Sequence, residues 1–256
     1  MQFVDTHCHI DFPVYDGSRD AVISEAAIAG VHAIVVPAVT AESWKRLLQI
    51  TSDQYASQLY PALGLHPCFM QQHKPEDLAR LEELLSGEAV CAVGEIGLDL
   101  FISDPDFDTQ LFFFKAQLEL AARYELPVLL HVRKAHDLVL KELRQARLQR
   151  GGIVHAFSGS LQQAQQYISL GFKLGIGGTI TYSRAKKLRA IVQTLEMSNL
   201  VLETDAPDMP LAAYRGLPNR PARIREIAAV VAGLKGVPIA ELAALTTGQA
   251  RALFGF

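Results

Sequence analysis

Short apolar runs alternate along the chain with longer segments whose apolar residues recur at helical spacing. The runs lie at 3–7, 33–39, 59–66, 89–98, 127–132, 152–157, 172–177 and 200–204. Between them, Trp44, Leu47, Leu48, Thr51 and Tyr55 form one stripe, and Leu111, Phe114, Leu118 and Ala121 a second. Leu188, Ile191, Val192 and Leu195 form a third. Punctuation agrees with this division. Ser160 and Gln163 have capping-box spacing, Pro75 and Pro221 suit first helical positions, and Gly30 and Gly171 follow predicted helix ends.

Runs such as Val128-Leu129-Leu130 and Ile34-Val35-Val36 are apolar on both faces, the pattern of parallel strands covered on each side by helices. Eight strands, seven linking segments and a helical tail in 256 residues match the count of an α/β fold of the (β/α)8 TIM-barrel type. A doubly wound open sheet is the alternative. No linker or low-complexity tract interrupts the pattern, so residues 1–256 read as a single barrel domain.

Composition narrows the partners. Half the residues are hydrophobic, a fifth are charged and the net charge is −3, so the chain is no generally basic nucleic-acid coat. Any polyanionic substrate must be held locally, by a few basic side chains or by metal. Cys8, Cys68 and Cys91 are odd in number and far apart, which suits a reducing compartment better than a disulfide framework. The N-terminus lacks signal-peptide character, and no segment approaches the ~18 apolar residues of a membrane span. The expected location is the cytoplasm.

The residues that carry chemistry fall at the C-terminal ends of the predicted strands. The first ends in His7 and His9, two residues apart, so that both face one way and can share a cation. His66 ends the third, Glu95 lies in the fourth, His131 ends the fifth, His155 the sixth and Asp205 the eighth. That end of a barrel is where catalytic groups from different strands converge. An apolar barrel mouth gathering several carboxylates and imidazoles calls for a compensating cation. Mixed nitrogen and oxygen donors suit Zn, Mn or Mg, with imidazole favouring a transition metal. Of the other histidines, His32 and His73 read as surface residues in helical or loop segments, and His136 as a weak substrate contact.

The motifs Asp-Thr-His-x-His from Asp5, Gly-Leu-His-Pro from Gly64, Gly-Glu-Ile-Gly-Leu-Asp from Gly94 and Glu-Thr-Asp-Ala-Pro from Glu203 occur in this order. Together with His131-Val-Arg133 and His155-Ala-Phe-Ser-Gly, they resemble the TatD family of metal-dependent deoxyribonucleases over nearly the whole chain. The resemblance implies an amidohydrolase-like barrel holding two divalent cations. His7, His9 and Asp205 would ligate one, His131 and His155 the other, and Glu95 would bridge them. A bridging carboxylate also suits a pair of cations about 3.5–4 Å apart.

The implied reaction is phosphodiester hydrolysis by a cation-activated water, with Asp205 taking the water's proton. The implied substrate is DNA, cut as a 3'-5' exonuclease at a single-stranded or frayed end. His66 would contact the scissile phosphate or leaving group, and Glu203 would orient a ligand histidine. Arg133 and Arg220 are candidate phosphate clamps. The run Arg184-Ala-Lys186-Lys187 is a possible nucleic-acid track, although such runs are more often solvated helix faces. Gly177-Gly178-Thr179 reads as a close-packed turn and Cys8 as core. Two rival readings remain: a hydrolase of small phosphoesters, cyclic amides or lactones, and a non-catalytic metal-stabilised binding protein.

Overall fold

The computed structural model describes residues 1–256. Its strands are β1 (Phe3–Asp5), β2 (Val31–Pro37), β3 (Gln58–Leu63), β4 (Ala92–Asp99), β5 (Val128–Arg133), β6 (Gly152–Val154), β7 (Phe172–Ile176) and β8 (Leu200–Leu202). The helices are α1 (Arg19–Ile28), α2 (Trp44–Ser52), α3 (Glu76–Gly87), α4 (Phe107–Arg123), α5 (His136–Ala146), α6 (Leu161–Ser169), α7 (Lys186–Thr194), α8 (Ile224–Lys235) and α9 (Ile239–Phe254). Every apolar run becomes a strand. All eight belong to one sheet whose order follows the chain. β8 returns to β1, with the Thr6 amide donating to the Leu202 carbonyl at 3.0 Å and the Asp205 amide to that of His7 at 2.8 Å. The fold is a (β/α)8 barrel.

The chain divides into two compact units. One comprises Met1–Val36, Gln49–Tyr60 and Leu174–Phe256. In it β1 pairs with β2 and β7 with β8, both parallel, and α9 packs on β1 and β8. Phe3, Ile34, Leu174, Ile176 and Val201 are buried in the strands, and Ile227, Val231 and Leu242 in the helices. Beneath the functional end lies Asp5, wholly buried. Its carboxylate accepts from the Thr204 amide at 2.9 Å, the Thr204 hydroxyl at 2.5 Å and, more weakly, the His7 amide at 3.3 Å. It therefore ties the chain after β1 to the chain after β8. Asp5→Ala leaves these donors buried without their acceptor, at a cost of about 1–3 kcal/mol for each stranded group. The variant's urea midpoint is expected to fall, and an unchanged midpoint would show that the tie is dispensable.

The other unit comprises Pro37–Leu48 and Pro61–Lys173. Here β3, β4, β5 and β6 pair in parallel, with Gly97 opposite His131 and Asp99 opposite Arg133. Gly97 adopts φ +146°, and a Cβ there would lie 1.9 Å from the His131 carbonyl oxygen, so only glycine permits this approach. On α4, Phe114 and Leu118 enter the core as their spacing predicts, and two glutamines join them. Gln110 accepts from the Asp99 amide at 2.8 Å and donates to the Asp99 carbonyl at 3.0 Å. Gln117 does the same for Leu65, at 2.7 and 3.2 Å. Seven residues apart, they share one helical face and grip the backbone beside two site residues. The capping box of Ser160 and Gln163 forms in full.

Two histidine expectations are corrected. His73 is buried, because the 3-10 segment Pro67–Gln72 turns it back to donate to the His66 carbonyl at 3.0 Å, with its edge toward Phe113. His32 is exposed as expected but belongs to β2 rather than to a helix or loop. No single helix is long and apolar enough to cross a membrane.

Candidate metal centre

In the first unit, strand β1 ends at Asp5, so His7 and His9 stand beyond it rather than within it. They nevertheless converge, with their Nε2 atoms 3.3 Å apart. Asp205 Oδ1 lies 3.7 Å from His7 Nε2 and 3.6 Å from His9 Nε2. Two imidazole nitrogens and one carboxylate oxygen thus surround one small volume, a donor set suited to a divalent cation. Asp205 has φ +56°, a left-handed conformation that aspartate tolerates better than most residues. The hydrogen bond from its amide to His7 holds it there. His9 stacks on Phe12 with ring centroids 4.5 Å apart, which fixes its plane. Glu203 is wholly buried against Gly175, where a Cβ would lie 2.2 Å from Glu203 Oε2. Cys8 is core, as expected, its thiol directed to the Ala206 carbonyl.

In the second unit, Glu95 and His131 lie within β4 and β5, while His66 and His155 follow β3 and β6. Glu95 is only 2 % exposed. Its Oε1 lies 3.0 Å from His131 Nδ1 and 3.3 Å from His66 Nε2. On the far side of the His131 ring, Nε2 donates to Asp99 Oδ2 at 2.9 Å. Burial disfavours the His131 cation, but hydrogen bonds to Asp99 and Glu95 outweigh it and push this imidazole up to about 9. Burial likewise opposes the Asp99 anion, yet its bond from His131 and the Phe101 amide hold the carboxyl well below the usual range. A cation binding His131 must therefore displace a ring proton, and the remaining N–H on a carboxylate orients the ring.

His66 is placed differently. Its Nδ1 accepts from the Cys68 amide at 3.1 Å. A neutral imidazole that accepts at Nδ1 carries its proton at Nε2. His66 therefore presents an Nε2 donor, which faces His131 Nδ1 at 3.1 Å and Glu95 Oε1 at 3.3 Å. Cys68 is exposed, with its sulfur 3.4 Å from Asp99 Oδ2. His66, Cys68 and His131 each offer a donor atom within 4.8 Å of the others.

The basic side chains divide. Arg220 Nη1 pairs with Glu25 Oε2 at 2.6 Å, which compensates its charge outside either histidine cluster. Arg133 is exposed two residues beyond His131, with its guanidinium 3.9 Å over the Phe101 ring. Arg184 sits over Tyr182, and Lys186 and Lys187 open the exposed face of α7. His136 starts α5 and is buried beside Tyr167 and Ser158. Sequence reasoning overlooked Asp99, although it falls four residues past Glu95 on the same strand face. It also overlooked Asp5 as a tie, and Gln110 and Gln117 as backbone clamps.

The chain resembles known hydrolases over nearly its whole length. The TatD-related DNase family matches residues 4–255. YjjV, a metal-dependent hydrolase of Escherichia coli K12, is 46% identical over 255 residues, covering 99% of this chain and 98% of its own. Its crystal structure, described as a TatD homolog, superposes with a TM-score of 0.96 over 99% of this chain and 98% of that one. A metal-dependent hydrolase of Haemophilus influenzae is 40% identical across 99% of this chain and 100% of its own. The Erwinia amylovora protein named 3'-5' ssDNA/RNA exonuclease TatD is 33% identical across 93% of each chain. With imidazole and carboxylate donors gathered beyond parallel strands and a family match from residue 4 to 255, the chain belongs to the TatD family of metal-dependent hydrolases.

Proposed function

We propose that this hydrolase is a phosphodiesterase acting on DNA, a 3'-5' exonuclease on single-stranded or frayed ends, within one catalytic domain spanning residues 1–256. The convergence of His7, His9 and Asp205 on one point carries the reading, beside a His131 held by Glu95 and Asp99. His7, His9 and Asp205 would hold one divalent cation and His131 and His155 a second, and Glu95 would serve both. Zn, Mn and Mg all suit this donor set. When bound, such cations would lower the pKa of water toward neutrality and neutralise phosphoryl charge. Asp205 accepts the proton of the attacking water. His66 donates from Nε2 to a phosphate or leaving-group oxygen, and Arg133 clamps a neighbouring phosphate. Arg220, already paired with Glu25, is a weaker clamp. The name of the Erwinia relative supports a single-stranded nucleic-acid substrate and 3'-5' polarity, and the description of the family supports DNA. Three free cysteines support a reducing, cytoplasmic setting.

Glu203 is proposed to orient a ligand histidine. Glu203→Gln is expected to weaken metal affinity about 10–100-fold. Unchanged metal content and activity would remove that role.

The reading is tested with metal-stripped protein, a 5'-labelled single-stranded oligonucleotide, and Mg, Mn or Zn restored in turn. Metal-dependent shortening from the 3' end is expected. A folded, metal-loaded protein that leaves the strand intact would discard DNA and direct attention to small phosphoesters and cyclic amides.

A further inference from the structure

Beyond β4 the chain leaves a large aromatic ring in solvent beside the His131 cluster. Phe101 is 57% exposed. It is nonetheless firmly placed, because its amide donates to Asp99 Oδ1 at 2.8 Å while Oδ2 of the same carboxylate holds His131. Asp99 lies opposite Arg133 in the β4–β5 register, and the Leu100 amide donates to the Arg133 carbonyl at 2.9 Å. Those contacts bring the Arg133 guanidinium 3.9 Å over one face of the ring. Arg133 is thus engaged by an aromatic face rather than by a carboxylate.

A solvent-exposed cation–π pair contributes little to a fold. An aromatic ring beside a basic side chain is, however, the recurring way in which proteins hold single-stranded nucleic acid. The bases stack on the ring and the cation meets the backbone, with little regard to sequence. Glu95, Gly97, Asp99 and Phe101 follow one another at two-residue spacing, as do His131 and Arg133. The platform is therefore built as a continuation of the two strands that carry Glu95 and His131.

We propose that Phe101 and Arg133 form a nucleotide subsite, in which Phe101 stacks a nucleobase adjoining the scissile phosphate and Arg133 meets the next phosphate. The proposal rests on the phosphodiesterase reading and adds the feature that favours a nucleotide over a simple ester. Phe101 is a specificity-determining residue that touches the base and leaves the reacting atoms alone.

The test uses the metal-loaded protein and a short oligothymidylate ending in 2-aminopurine at its 3' terminus, with the last linkage a phosphorothioate to slow cleavage. Stacking quenches 2-aminopurine fluorescence. Wild type is expected to quench it, Phe101→Leu to bind at least about tenfold more weakly, and Phe101→Trp to restore binding. In hydrolysis of the ordinary oligonucleotide, Phe101→Leu should raise KM with kcat unchanged. Its turnover of methyl p-nitrophenyl phosphate, a diester without a base, should match wild type. Equal binding by wild type and Phe101→Leu would overturn the subsite, as would an equal loss on the base-free diester. Cleavage without Phe101-dependent quenching removes the subsite and leaves the nuclease. Phe101-dependent quenching without cleavage leaves the subsite and removes the nuclease.

Discussion

Glu95→Gln is expected to abolish metal-dependent hydrolysis while the barrel stays folded. Glutamine matches glutamate in size, so packing around this buried position survives. What disappears is the negative charge that faces both His131 Nδ1 and His66 Nε2 from a single oxygen. A carboxylate shared between cations has no neutral substitute, since an amide can neither compensate the ions nor offer two anionic oxygens. Loss of a supporting partner to a ligand costs about 10–100-fold, and loss of the residue proposed to serve both cations should exceed that range in kcat. Circular dichroism and elemental analysis on the same preparation separate the causes: native helical signal is expected with depleted metal. Activity within tenfold of wild type at saturating metal would remove Glu95 from the centre.

Asp99→Asn has the second-largest expected effect, and it differs in kind. Asp99 stands behind His131, accepting from Nε2 while Nδ1 faces Glu95. Neutralising it should lower metal affinity about 10–100-fold but leave kcat near wild type once metal is saturating. The pH dependence gives a second readout. In the metal-free protein, Asp99 and Glu95 push His131 up to about 9, so protons compete with the cation at lower pH. Apparent affinity should therefore climb as pH rises and level off above about 9. With Asp99 neutral, one source of the upward push is gone, and the plateau should begin at lower pH. Manganese titrations followed by electron paramagnetic resonance across that range decide the matter. Identical pH profiles for the two proteins would separate Asp99 from the site.

Much of this architecture is legible in the residues because two signals coincide. Doubly apolar runs such as 34–36 and 128–130 mark parallel strands, and polar residues placed at the ends of such runs mark the functional end of a barrel. His7 and His9 illustrate the limit. Their two-residue spacing predicts convergence, and they converge, yet β1 stops at Asp5 and hydrogen bonds from Thr6 and His9 to the far end of the chain hold the segment extended. Supporting residues are harder to see because their role lies in one long-range partner. A strand-end aspartate such as Asp99 resembles a solvated loop residue until β5 is laid beside it. Gln110 and Gln117 look like polar helix positions until their backbone partners are known. His73 resembles a surface residue because nothing local shows the chain turning back over it. Arg133 and Arg220 are equivalent in sequence and are distinguished only by Glu25 and Phe101.

The ligand assignment itself is tested most directly by anomalous diffraction from crystals of the manganese-loaded protein. Two manganese peaks are expected, one coordinated by His7, His9 and Asp205, the other by His131 and His155, with Glu95 contacting both. A single peak, or peaks coordinated by other side chains, would contradict the two-cation centre.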